Sequence, residues 1–206
     1  MKKLLFLFLA AACSMQLAAQ GQVDAFIKEA QAFLVKKDYK QAVLSLQDAI
    51  NEINQAIASQ TGELLPDEIN GLKAEGEVET TSAAMGMMGG GLQITKRYRH
   101  PANPNNDAEV QILANSPMVA TLNMYLSNPS VMGAGYKSVR VGTTRAIAKT
   151  DIEDNGSGGK VCATEIQIPL GQTLIFVRTN GFATEQDELA FATKLDMDKI
   201  RAAVGE

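Results

Sequence analysis

The sequence predicts an α+β fold in which an N-terminal helical hairpin packs on a mainly antiparallel sheet with a long C-terminal helix. Three observations carry that expectation. Apolar residues recur at three- and four-residue steps between Val23 and Gln60; short alternating segments separated by Gly, Pro and Asn follow from Leu72 onward; and helix-start signals stand at Ser116-Pro117 and Thr184. Antiparallel-looking strands with helices set against them argue against a parallel nucleotide-binding sheet.

Residues 1–19 read as a signal peptide. Lys2 and Lys3 precede the apolar run from Leu4 to Ala12, which is too short to span a bilayer, and Leu17-Ala18-Ala19 leads into polar Gln20-Gly21-Gln22. Two processing routes fit the same segment. Cleavage between Ala19 and Gln20 releases a periplasmic or secreted protein. Alternatively, Ala10-Ala11-Ala12-Cys13 resembles a lipobox that lacks the usual leucine three positions before Cys13, and lipidation there would anchor the chain to the outer membrane.

The hairpin is expected over 23–60. Ala25, Phe26, Ala30, Phe33 and Leu34 mark the first helix, Lys36-Lys37-Asp38 breaks it, and Asp38 is placed to cap a second helix. That helix carries Ala42, Val43, Leu46, Ala49, Ile50, Ile53 and Ile57 as a core-facing stripe. Lys37-Asp38-Tyr39-Lys40-Gln41-Ala42, followed by Leu46 and Ala49, resembles the second helix of a tetratricopeptide repeat. The resemblance covers one repeat. Such repeats bury their faces by stacking, so it implies docking on the following domain or on a partner.

Gly62 and Pro66 mark a boundary, and the α+β sheet domain is expected over 64–206. Strands are expected at 74–81, 92–99, 109–114, 137–141, 145–149, 160–168 and 173–178, with turns at Gly89-Gly90-Gly91, Asn103-Pro104-Asn105-Asn106 and 154–159. A short helix over Pro117 to Leu126 starts at Ser116, and a long one over Thr184 to Ala203 is capped by Thr184. Leu65-Pro66, Gly89-Gly90-Gly91 before a strand ending in Tyr98, Asn115-Ser116-Pro117 and the closing amphipathic helix together resemble small exported bacterial proteins with the PsbP/Mog1-like α+β sandwich. Over about Leu64 to Val204 that resemblance implies a binding or accessory protein, and it supplies no catalytic residues.

Charge and cysteine content narrow the function. The chain has 19 Lys+Arg against 23 Asp+Glu, and removing Lys2 and Lys3 makes the product more acidic, which disfavours nucleic acid as a partner. Cys162 is the only cysteine after Cys13, so no internal disulfide forms once Cys13 is removed. In its β-rich segment Cys162 is expected to be a small buried hydrophobe rather than a nucleophile.

The candidate sites are sparse. Met85, Met87 and Met88 lie among glycines on a pliable loop, where thioethers could take a soft ion such as Cu(I), or cover apolar surface. His100 is the sole histidine and is expected as an exposed strand-end side chain. Lys96, Arg97 and Arg99 form a basic spot that alternation divides between two sheet faces. Asp151, Glu153 and Asp154 do not follow a calcium-loop spacing, and Gly156-Ser157-Gly158-Gly159 matches neither a phosphate loop nor a nucleophile elbow. The expectation is therefore an exported accessory protein without catalysis or cofactor, holding a protein partner or small ligand in the cell envelope. Copper handling through Met85, Met87 and Met88 is the alternative, and membrane contact would come only through a lipid at Cys13.

Overall fold

The computed structural model describes residues 21–82, 92–128, 131, 133–154 and 159–206. The leader with Cys13, the candidates Met85, Met87 and Met88, and Ser157 lie outside the described residues. The chain divides into two compact units at Ile57/Ala58. Among the described residues no helix is long and apolar enough to cross a membrane.

Helix α1 (21–35) is joined by three residues to α2 (Tyr39–Leu64), and α2 belongs to the first unit up to Ile57 and to the second from Ala58 on. Lys37 adopts a left-handed φ of 58°, which ends α1. The Asp38 carboxylate then accepts from the Gln41 backbone N–H at 3.3 Å, the cap that the sequence predicts. The stripe expected to face the core divides in two. Small side chains are buried, namely Ala30, Ala42, Ser45 and Ala49, whereas Val43, Leu46, Ile50 and Ile53 are exposed. Small residues let helices approach closely, and that selects the alanine side of the stripe over its larger neighbours. Helix α2 also runs past the boundary expected at Thr61-Gly62. Gly62 lies in the helix, and a Cβ there would stand 2.8 Å from Val78 Cγ2, so the glycine makes room for Val78 within the second unit.

Among the described residues the second unit is built on a sheet of nine strands: β1 (Glu68–Ile69), β2 (Leu72–Ala74), β3 (Glu79–Ser82), β4 (Leu92–His100), β5 (Asn103–Leu113), β6 (Tyr136–Val141), β7 (Thr144–Asp154), β8 (Lys160–Leu170) and β9 (Thr173–Phe182). The order is β1-β2-β4-β5-β9-β8-β7-β6, with β3 also on β4, and every pairing is antiparallel. With its helices this is the α+β class that the sequence predicts. The strand expected over 74–81 is two strands, interrupted where Gly76 takes a φ of 70°.

The Asn103-Pro104-Asn105-Asn106 stretch corrects another expectation, since it lies in β5 and the turn falls at Pro101-Ala102. Gly181 of β9 explains how β5 extends so far. A Cβ at this position would lie 2.2 Å from the Asn105 carbonyl oxygen, so only glycine, here at φ 82°, lets the backbone of 105–106 come so near.

Period-two alternation sorts the strands into two faces. One carries Ile94, Tyr98, Val110, Ile112, Ile166, Ile168, Ile175 and Val177, all fully buried. Helix α4 (Glu185–Ala192) packs there on β8 and β9, and Phe191 meets Tyr98 edge-on at 5.4 Å. The opposite face takes α3 (Met118–Ser127), whose Val119, Leu122 and Leu126 join Ile147, Leu174 and Phe176 in one cluster. The Ser116 hydroxyl accepts from the Met118 N–H at 3.4 Å at the start of α3.

The long C-terminal helix is the remaining correction. It breaks into α4 and α5 (Met197–Ala203), each with its own cap: Thr184 Oγ1 accepts from Asp187 N, and Asp196 Oδ1 accepts from Lys199 N at 3.1 Å. Leu195 and Ile200 are both buried. On a straight helix their five-residue step would put them about 140° apart, so burying both requires a break.

Candidate functional site

The first candidate is an apolar seam on α2 in the first unit. Tyr39, Val43, Leu46, Ile50 and Ile53 follow each other at steps of four, three, four and three residues, and their exposure runs from 43 to 64%. Steps averaging 3.5 residues keep one side of a helix facing a second helix. Among the described residues, nine of the fourteen exposed large apolar side chains lie between Ile27 and Ile53. Covering the exposed half of each such side chain would be worth about half of the 1.5–3 kcal/mol of full burial.

The second candidate is the solvent-facing part of the sheet beyond α3. Strand register brings Arg97, Glu109, Arg178, Glu165 and Lys149 side by side on β4, β5, β9, β8 and β7, alternating in sign. Glu109 takes Arg97 Nε at 3.1 Å and Arg178 Nη1 at 3.2 Å; Arg178 Nε reaches Glu165 at 3.2 Å while its guanidinium stands over Phe176. Glu79 on β3 also pairs with Arg97, and the Glu79 and Glu109 carboxylates raise the Arg97 pKa. Lys149 turns to Asp151 at 2.8 Å, which raises its pKa in the same way. Each charge is answered by a neighbour in the same sheet, so the row holds adjacent strands in register rather than presenting one sign to a polyanion. A hollow of about 290 Å³ opens beside Tyr136, Lys149 and Arg178.

Alternation divides the basic spot as the sequence predicts. Lys96 points to the other face, where it is buried and donates to the Leu65 carbonyl at 2.7 Å and to Asp67 at 3.0 Å.

The remaining sequence candidates are not brought together. His100 is half-buried at the end of β4, not exposed as expected, and its Nδ1 accepts from the Ala102 N–H at 3.2 Å. Cys162 is likewise half-buried rather than fully buried, because it sits near the outer end of β8 where the ladder shifts register against β9. Strands β5 and β9 separate β4 from β8, which puts these two side chains at least about 14 Å apart by inter-strand spacing. Burial raises the Cys162 pKa, and Glu188, Glu185 and Asp187 raise it further, so the thiol keeps its proton. Asp151, Glu153 and Asp154 are exposed on β7. Among the described residues no group of three or more His, Cys, Asp or Glu side chains converges on a metal position.

The sequence reading misses one residue. Glu188 of α4 is fully buried against the sheet, with Thr164 bonded to its Oε2 and, among the described residues, no partner on its Oε1. Burial is the main cause raising its pKa to about 7, the nearby Glu185 and Asp187 add to the rise, and the hydrogen bond from Thr164 opposes it. A signal was present, since Glu188 stands three and seven residues before Phe191 and Leu195 and thus on their buried side of the helix.

Compared with known proteins, the chain matches no family model and no curated protein.

Proposed function

We propose that this protein is an exported, non-catalytic accessory protein that holds a protein partner in the cell envelope through the apolar seam of α2. The observation that supports this most directly is the run Tyr39, Val43, Leu46, Ile50 and Ile53, spaced to receive another helix yet open to water. The partner chemistry that fits is an amphipathic helix whose own apolar residues recur at three- and four-residue steps. Lys40, Gln47 and Asn54 flank the seam on one side and Ala42, Ala49 and Ala56 on the other, so Lys40 is the one charge on the flanks. Export rests on the leader expected over 1–19, and a binding role is also what the resemblance over about Leu64 to Val204 implies.

Site-specific photo-crosslinking in the native envelope tests the reading. A probe at Ile50 should trap a discrete protein adduct, and one at Asp48, an exposed position off the seam, should not. The adduct at Ile50 should disappear when Val43 and Leu46 are both changed to Lys. Equal labelling at Ile50 and Asp48, or adducts that survive the double change, would overturn the seam as the docking surface.

A further inference from the structure

Glu188 has a consequence independent of the hairpin. A carboxyl group that is fully buried normally meets a cation or a set of backbone donors. Its charged surroundings offer none. On α4 itself the neighbouring titratable groups are Glu185 and Asp187; β8 contributes the Cys162 thiol and the Thr164 hydroxyl, and β9 contributes the Thr179 hydroxyl. Lys137 of β6 is engaged with Glu185 instead. Farther along α4, Phe191 rests on Tyr98 of β4, whose own hydroxyl is buried without a partner among the described residues.

The hydroxyls leave one carboxyl oxygen unanswered. Thr164 Oγ1 lies between Glu188 Oε2 and Thr150 Oγ1, the latter at 2.9 Å, and Thr150 can donate to Thr164 while Thr164 donates to Glu188, so Oε2 is satisfied in either protonation state. Thr179 Oγ1 is directed to the Thr164 carbonyl at 3.3 Å. Glu188 Oε1 is buried with no partner among the described residues. An ionised Glu188 leaves that oxygen bare and an uncompensated charge beneath the helix, and a proton removes the charge.

We propose that Glu188 is a proton-operated latch: α4 lies closed on β8 and β9 while the buried carboxyl is protonated, and it loosens from the sheet when the proton leaves. Opening would bare Phe191 and Tyr98 and uncover the Cys162 end of β8. Helix α4 suits such a role because it is short and is bounded by its own cap at Thr184 and by the break before α5, so it can move as a separate piece. The operating range lies near neutral pH, since burial lifts this carboxyl to about 7.

Amide hydrogen exchange of the full chain at pH 5.5 and pH 8.5, corrected for intrinsic exchange, tests the latch. Protection of α4 amides relative to β9 amides should fall at least ~10-fold at the higher pH, within the ~30-fold ceiling that a carboxyl moved from 4.5 to about 7 sets between these two pH values. In Glu188→Gln, which is neutral at both values, the ratio should be flat. Should that variant fail to fold, carboxyl-carbon NMR on the wild-type chain decides the matter, with one glutamate titrating near neutrality in step with chemical-shift changes in α4. Unchanged α4 protection across the range, the same fall in Glu188→Gln, or a Glu188 midpoint below 5 would each overturn the latch.

Discussion

Lys96 Nζ lies 2.7 Å from the carbonyl oxygen of Leu65, so a buried strand lysine closes the C-terminal end of α2. The last carbonyls of a helix lack intrahelical donors and carry the negative end of its dipole, and a cation there answers both. Lys96 also reaches Asp67, but that carboxylate is 98% exposed. The two contacts therefore differ in weight. Lys96→Met, which keeps the stem and removes the donor, should cost about 1–3 kcal/mol in chemical denaturation because it strands a buried carbonyl. Asp67→Asn should leave the denaturation midpoint nearly unchanged.

The stability of the second unit should depend on pH through Glu188. The folded pKa of about 7 lies above the ordinary 4.5, so between those values the folded chain holds a proton that the unfolded chain has released. The stabilisation is complete below about 4.5, is lost as pH rises toward 7, and is absent above it. The full shift corresponds to a ceiling of about 3 kcal/mol. Thermal melts at pH 5, 6, 7 and 8 should show a fall in Tm that Glu188→Gln lacks. Parallel curves for the two proteins would exclude Glu188 as the source.

Gly181→Ala should be among the most damaging small changes in the sheet. Its φ of 82° disfavours any side chain, and the new Cβ would meet backbone at Asn105 and Asn106, which cannot swing aside as a flexible side chain can. A loss of about 2–4 kcal/mol is expected, by the combined cost of left-handed strain and overpacking. Amide chemical-shift changes should concentrate where β5 meets β9, at Asp107 and Asn180.

Local chemistry was legible in the sequence and long-range choices were not. Asp38, Ser116 and Thr184 were readable as helix starts because each bonds a backbone N–H within three residues. The turn expected at Asn103 to Asn106 gave way to strand pairing that depends on Gly181, far away in the chain. The break between α4 and α5 was encoded by Asp196 and by the step from Leu195 to Ile200, but the polar opening at Thr184 and the apolar run after it favoured one continuous helix. Glu188 was hidden beside two other acidic residues, of which Asp187 faces water and Glu185 pairs with Lys137. On α2 periodicity put Ala42 and Ala49 in one core-facing stripe with their larger neighbours, and close packing kept Ala42 and Ala49, together with Ser45, while leaving Val43, Leu46, Ile50 and Ile53 in water.

That division on α2 yields a final prediction that separates folding from binding. Ala49 is buried at 4% exposure, so Ala49→Leu forces three extra carbons into a close helix contact and should destabilise the hairpin by about 1–3 kcal/mol. Ile50, the next residue, has 55% of its surface in water. Ile50→Ser removes little that the free chain buries, and the helicity of the hairpin by circular dichroism should hold. If the seam receives a partner helix, the same change should weaken that complex at least ~10-fold, because a large apolar contact worth 1.4 kcal/mol or more is lost only in the bound state. A hairpin that melts on Ile50→Ser but tolerates Ala49→Leu would reverse the assignment of the two stripes and remove the argument for docking on α2.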